Sequence, residues 1–178
     1  MTVKINADTS DGLKFVSDTS GAIDLQSNGV TKVSMDSSGK VSATNIASVQ
    51  PSFSARISSD QTVSASTFTK MQCATEDFDT DSKYDASSNF RFTPTVAGYY
   101  QFNLGMRGSS STTNIIALYK NDVLFKRHVV EGHKFATLSV ICVSDADDYF
   151  EAFGFTTGTT FDDETADNYF QAHFVRTA

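Results

Sequence analysis

Acidic side chains gather in three short stretches of the chain, and their type and spacing could do chemistry. Hard cations such as calcium take roughly six to eight oxygen ligands from stretches of this kind. In the first stretch, Asp77, Asp79 and Asp81 alternate as at the start of a calcium loop. Ser82 and Ser88 then stand where the EF-hand pattern requires glycine and glutamate. We therefore predict solvated loop carboxylates and no cofactor, with a calcium site at Asp77, Asp79 and Asp81 as the alternative. The stretches are Glu76, Asp77, Asp79, Asp81 and Asp85; Asp145, Asp147, Asp148 and Glu151; and Asp162, Asp163, Glu164 and Asp167.

The remaining reactive side chains form no catalytic or zinc-binding pattern. His128, His133 and His173 lack the spacing of zinc ligands, and no G-x-S-x-G segment marks a serine nucleophile. The sequence shows neither the paired carboxylates of a glycosidase nor a glycine-rich phosphate loop. We predict that the protein is not an enzyme.

Two cysteines, Cys73 and Cys142, lie far apart in the sequence, each among apolar and small residues. Such surroundings favour free, buried thiols over a metal site or a disulfide framework. A disulfide between Cys73 and Cys142 is the second interpretation.

Three polar segments, residues 75–85, 107–114 and 156–169, are predicted to be loops. Loops on a rigid β-framework commonly carry binding residues. Aromatic rings beside carboxylates suit carbohydrate binding, whereas the alternative is that these rings close the ends of the framework. The candidate ligand-binding residues are Phe78, Tyr84, Arg107, Asn114, Phe161 and Tyr169.

From residue 49 to residue 178 the sequence is typical of an all-β protein. Short segments with alternating apolar residues recur about every 8–12 residues, the spacing of a sandwich or barrel. No segment has the three- and four-residue periodicity of an amphipathic helix. The alternating sets include Phe53, Ala55 and Ile57; Tyr100, Phe102, Leu104 and Met106; Leu138, Val140 and Cys142; Phe153 and Phe155; and Phe170, Ala172 and Phe174.

Residues 1–48 differ in composition from the rest of the chain. Of the 21 aromatic residues, only Phe15 lies here, and four glycines recur at intervals of 9, 8 and 10 residues. A short alternating apolar run follows each glycine, which predicts short strands joined by turns. Ordering one residue costs about 1–2 kcal/mol, and so few apolar side chains cannot offset that cost. We predict a β-stem that shares a core with other copies of the chain; a flexible linker is the alternative.

The charge of the chain bears on its partners. It has 14 basic and 21 acidic residues, a net charge of −7, and no dense basic cluster. Nucleic-acid phosphates favour basic patches, so we predict no nucleic-acid partner. No apolar run approaches the roughly 20 residues that span a bilayer, and the first residues lack the apolar region of a signal peptide. We therefore predict no membrane insertion and no secretory signal.

Landmarks within residues 49–178 resemble the globular head of complement component one-q. Residues 51–56 resemble the first strand of that family, residues 117–122 its hairpin and residues 169–175 its closing strand. The resemblance implies a jelly-roll β-sandwich, related in fold to tumour necrosis factor, that forms homotrimers. Its central signature corresponds to Tyr84, Asp85, Asn89, Phe90, Phe92, Pro94, Gly98, Tyr100 and Phe102.

The segment GLKFVSDTSGAIDLQSNGVTKVSMDSSGKV, residues 12–41, is similar to segments of bacteriophage tail-fibre and virion proteins that precede a C-terminal head. Together the two resemblances imply a virion protein that is assembled in the bacterial cytoplasm. Residues 1–48 would form the β-stem or a virion-attachment segment, and residues 49–178 the head. The expected partners are further copies of the chain in a homotrimer, other virion proteins, and a glycan or protein of the bacterial surface.

Two functions are consistent with this organisation. The first is a trimeric tail-fibre or fibre-tip module that binds a receptor on the host surface, with avidity from three copies. The second is a capsid decoration or head-fibre protein that has no essential ligand.

Overall fold

The computed structural model describes residues 22–43 and 50–178, and the chain divides into two compact units, Met1–Ser48 and Val49–Ala178. Every regular element in the described residues is a β-strand, which confirms the predicted all-β class. None of the described residues belongs to a helix that could cross a bilayer.

The first unit contains a three-stranded antiparallel sheet of strands β1 (Ile23–Ser27), β2 (Val30–Met35) and β3 (Val41–Ala43). Asn28 and Gly29 join β1 to β2, and both have positive φ angles of 54° and 75°. Two consecutive positive φ values define the hairpin turn whose twist matches that of the flanking strands. The asparagine–glycine pair therefore sets the register of the first hairpin.

One face of this sheet is apolar and the other is polar. Ile23 pairs with Met35, and Met35 pairs in turn with Val41, so the three side chains share a face. The opposite face carries Asp24, whose carboxylate accepts a hydrogen bond from Thr31 at 3.3 Å. Five described side chains form the apolar face: Ile23, Leu25, Val33, Met35 and Val41.

The second unit is a β-sandwich. Its strands are β4 (Ser52–Arg56), β5 (Gln61–Thr62), β6 (Thr69–Lys70), β7 (Thr75–Asp79), β8 (Tyr84–Asp85), β9 (Arg91–Phe92), β10 (Gly98–Arg107), β11 (Thr113–Lys120), β12 (Val123–Glu131), β13 (Phe135–Ser144), β14 (Phe150–Thr156), β15 (Thr160–Phe161) and β16 (Tyr169–Arg176). The five-stranded sheet has the order β13-β10-β16-β4-β7, and the six-stranded sheet has the order β12-β11-β14-β9-β8, with β6 paired to β14. A small third sheet joins β15 to β5.

Stacked aromatic rings fill the space between the two large sheets. Phe53 stacks on both Tyr84 and Phe92, each with a centroid separation of 4.6 Å. Phe102 of β10 meets Phe150 of β14 at 4.5 Å, and this contact joins the two sheets. Such ring pairs add to the burial of apolar area, so they account for much of the stability of the sandwich.

The β11–β12 hairpin forms although Asp122 occupies the place where the resembling family has glycine. Asn121 and Asp122 both have positive φ, at 52° and 63°. Asparagine and aspartate tolerate this region better than other non-glycine residues, so the two-residue turn persists. Tyr149 donates a hydrogen bond from its hydroxyl to the Asp122 carboxylate at 2.6 Å.

Both cysteines are free and buried, as the first interpretation predicted. Burial raises the pKa of the Cys73 thiol to about 12. The thiol therefore stays protonated at neutral pH and acts as a small apolar group in the core.

Candidate functional site

The first predicted loop, residues 75–85, is largely strand, which corrects that prediction: it contains the whole of β7 and of β8. Phe78 pairs with Ser54 of β4 and is 52% exposed. Asp77 forms an ion pair with Arg56 and accepts a hydrogen bond from the Ser54 hydroxyl at 2.9 Å. Phe78 is thus available to a partner, whereas the charge of Asp77 is already balanced by Arg56.

Asp79 and Asp81, two of the carboxylates in the alternative calcium site, have different surroundings. Asp79 accepts hydrogen bonds from the backbone nitrogens of Tyr84 at 2.7 Å and Asp81 at 3.4 Å. Burial, and then the nearby charge of Asp79, raise the pKa of Asp81 above its usual value. Within residues 22–43 and 50–178, no three Asp, Glu, His or Cys side chains come close enough to hold a metal ion. The structure therefore does not bring Asp77, Asp79 and Asp81 together as one ligand set.

Three of the predicted ligand-binding residues have buried side chains. The Tyr84 ring lies in the core and its hydroxyl donates to the Cys73 carbonyl at 3.0 Å. Asn114 uses its amide nitrogen to bond the carbonyls of Ser110 at 2.7 Å and His133 at 2.8 Å. Phe161 is fully buried. Internal packing and hydrogen bonds therefore hold all three side chains in place.

Arg107 and Tyr169 hold the third predicted loop against the sandwich. Arg107 donates from Nη1 to Asp167 Oδ2 at 2.9 Å, and its Nε lies 3.8 Å from Asp162 Oδ2. The half-buried Tyr169 ring packs over Gly105, where an added Cβ would lie 2.4 Å from the ring. Burial, followed by the charge of Asp167, raises the pKa of Tyr169. Arg107 therefore ties the carboxylates of the loop to the end of β10, and Tyr169 packs its ring on β10 at Gly105.

The structure reveals a surface that the loop-based prediction missed: the face of the five-stranded sheet that points away from the core, here called the outer face of that sheet. Ile141 and Val143 of β13 are 54% and 46% exposed there, and they pair across to Gln101 and Tyr99 of β10. Val175 of β16 is also exposed. The sequence contained a signal for this surface. Ile141 and Val143 are apolar, yet they alternate with the set Leu138, Val140 and Cys142 and so lie on the other face of the strand.

Polar side chains on this outer face bond to one another. Gln101 donates to the Ser139 hydroxyl at 2.8 Å, and Ser139 donates to Asn103 Oδ1 at 2.8 Å. On the neighbouring strands, Gln171 donates to the Ser54 hydroxyl at 3.1 Å. Because these groups have internal partners, covering the face would leave few unsatisfied donors or acceptors.

Comparison with known proteins identifies the fold. The sequence matches no protein-family model and no curated protein. Murine APRIL is similar in structure, with a TM-score of 0.59, 7% identity, and 71% of this chain and 99% of that chain covered. The globular domain of zebrafish complement 1qA protein has a TM-score of 0.54, 12% identity, and coverage of 72% and 99%. PRD1 vertex protein P5 has a TM-score of 0.51, 11% identity, and coverage of 71% and 96%. The chain therefore contains a jelly-roll sandwich of the tumour necrosis factor and complement one-q type.

Proposed function

We propose that the protein is a bacteriophage virion protein whose jelly-roll heads associate as a homotrimer and bind a receptor on the host surface. The observation that carries the proposal is the exposed apolar surface on the outer face of the five-stranded sheet. Solvent-exposed apolar side chains clustered on one face mark an interaction surface.

The distribution of these side chains favours a closed ring of copies. Ile141 and Val143 lie on β13, at one edge of the sheet, and Phe78 lies on β7, at the opposite edge. Two different patches suit a head-to-tail interface, in which the β13 edge of one copy meets the β7 edge of the next. Such contacts close into a ring when the rotation between copies allows it. The fold of the head is consistent with a ring of three.

The three-stranded sheet of the first unit supports association by a separate argument. Leu25, Met35 and Val41 on its apolar face are exposed. A small sheet needs its apolar face covered by further structure to be stable in water. Further copies of the same sheet would supply that cover, in agreement with a stem that shares its core between chains.

The likeness to PRD1 vertex protein P5 and the resemblance of residues 12–41 to phage fibre segments support the virion assignment. Three heads on one stem would multiply a weak receptor contact by avidity. We expect recognition and structure rather than catalysis, because no histidine among the described residues bonds a serine or cysteine side chain.

The alternative, a capsid decoration protein without an essential ligand, uses the same trimer. Quantitative mass spectrometry of purified particles, referenced to the major capsid protein, separates the two. A small multiple of three copies per particle supports a fibre-tip position and receptor binding. A copy number that scales with the capsid lattice supports decoration, and absence of the chain from particles refutes the virion assignment.

A further inference from the structure

The outer face of the six-stranded sheet carries aromatic and charged side chains in three rows that cross the strands. Ile116 and Leu118 of β11 and Phe150 of β14 point into the core. The residues that alternate with them along each strand therefore point outward. We call this surface the platform. Its rows are Val129, Ile115 and Phe155; Arg127, Ala117, Phe153 and Lys70; and Leu124, Tyr119, Glu151 and Arg91.

Four aromatic rings cover the middle of the platform. Tyr119 and Phe153 lie with centroids 4.2 Å apart, and Phe68 lies 5.4 Å from Phe155. All four rings are half-buried, so part of each reaches solvent. The aliphatic Ala117 beneath them is fully buried. The centre of the platform therefore presents aromatic ring surface to solvent.

Polar groups around the rings are fixed in place. Lys70 bonds Glu151 Oε1 at 2.5 Å and the Asn89 carbonyl at 3.2 Å, with its Nζ 5.9 Å from the centre of the Phe153 ring. The Arg91 guanidinium lies 4.7 Å from the centre of the Tyr149 ring. Pre-positioned donors beside apolar ring surface lose little side-chain entropy when a ligand binds.

The platform carries unpaired positive charge, although the protein as a whole has a net charge of −7. Glu151 is 2% exposed and is neutralised by Lys70, whereas Arg91 and Arg127 make no ion pair with any described residue. Asp85, next to Arg91 in the sheet, directs its carboxylate to the backbone nitrogens of its own turn. The strands that carry Arg91 and Arg127 are three spacings apart, which corresponds to about 14 Å.

We propose that the platform binds an acidic oligosaccharide that lies flat across strands β12, β11, β14 and β9. The electron-rich ring faces would pack against the polarised C–H groups of the sugar rings, and the two unpaired arginines would bond carboxylate or phosphate groups along the chain. No ligand-sized pocket opens among the described residues, in agreement with an extended ligand on an open surface. The inference gives the receptor binding proposed above a site and a chemical class, and it rests on that proposal.

The test uses the full-length chain on an array of oligosaccharides. The acidic probes are oligomers of galacturonate and sialate and phosphorylated lipopolysaccharide core oligosaccharides; the neutral probes are oligomers of glucose and mannose. We expect binding to at least one acidic probe, no binding to the neutral probes, and weaker binding at higher salt. Arg127→Gln should weaken that binding about tenfold, and Phe153→Ala about three- to tenfold.

Lys134→Gln is the matched control, because Lys134 is an exposed cation outside the platform. The affinity of this variant for the acidic probe should stay within about twofold of the wild-type value. Native mass spectrometry of each variant checks that the assembly is intact. Binding to no acidic probe, or equal losses in Arg127→Gln and Lys134→Gln, would overturn the inference. A trimer without glycan binding refutes the platform alone, whereas a monomer that binds acidic glycan refutes the proposed assembly alone.

Discussion

Replacing Phe102 with alanine should remove a large fraction of the stability of the sandwich. Phe102 is fully buried and lies between the two sheets, with Phe150 at 4.5 Å, Phe170 at 6.2 Å and Phe92 at 6.5 Å. A Phe→Ala change in a core costs about 3–5 kcal/mol, and the cost rises when the surroundings cannot close over the cavity. The neighbouring rings already pack on one another, so we expect about 4–5 kcal/mol. Total stability for a domain of this size is about 5–15 kcal/mol.

Equilibrium unfolding in urea, followed by far-ultraviolet circular dichroism and tyrosine fluorescence, measures this loss. The variants are compared at one protein concentration because association contributes to apparent stability. Val123→Ala is the control, since Val123 is 68% exposed and should change the free energy of unfolding by less than about 0.5 kcal/mol. A loss below about 1 kcal/mol for Phe102→Ala would show that the contact between the sheets at Phe102 is not part of a rigid core.

Three further predictions concern other parts of the second unit. Gly105→Ala should destabilise the protein by about 1–3 kcal/mol in the same urea assay, because the new Cβ would lie 2.5 Å from the Asp167 carbonyl oxygen; an unchanged midpoint would contradict this close contact. Hydrogen bonds from the backbone nitrogens of Ser88 and Ser87, and then from the Asn89 side chain, lower the pKa of Asp85. The stability that this carboxylate contributes is present above its unfolded pKa of about 3.9 and is lost as the pH falls through the lower folded pKa. The difference in the free energy of unfolding between wild type and Asp85→Asn should therefore become smaller as the pH is lowered below about 4. A difference that does not change with pH would refute the explanation. A chelator should leave the melting temperature unchanged, since Arg56 neutralises Asp77; a clear drop, reversed by added calcium, would instead support the calcium site.

Much of the strand framework could be predicted from the sequence because alternation and turn residues are local signals. The set from Tyr100 to Met106 faces the core as its spacing indicates, and the turns at Asn28 and Asn121 occur where polar pairs interrupt apolar runs. Alternation identifies two faces of a strand but does not say which one is buried. Phe153 and Phe155 lie on the outer face of β14 because Gly154, between them, faces the core against Phe161.

The candidate site was less predictable because exposure depends on long-range packing. Tyr84, Asn114 and Phe161 lie in polar segments of the sequence, yet each side chain turns inward to fill or bond the sandwich. The exposed pair Ile141 and Val143 is as apolar as the alternating set Leu138, Val140 and Cys142, and alternation separates the two sets without showing which one faces solvent. Neither fact can be derived from the order of residues within one strand.

The central claim is that copies of the chain associate through the outer face of the five-stranded sheet. The most direct test is the native mass of the full-length chain, measured over a dilution series for wild type and for the double variant Ile141→Asp, Val143→Asp. Val123→Asp, which places the same charge at an exposed valine of the other sheet, is the control. We predict three times the 19.3 kDa chain mass for wild type and the control, and dissociation at a higher concentration for the double variant. A wild-type mass of one chain at micromolar concentration, or a double variant indistinguishable from the control, would contradict the claim.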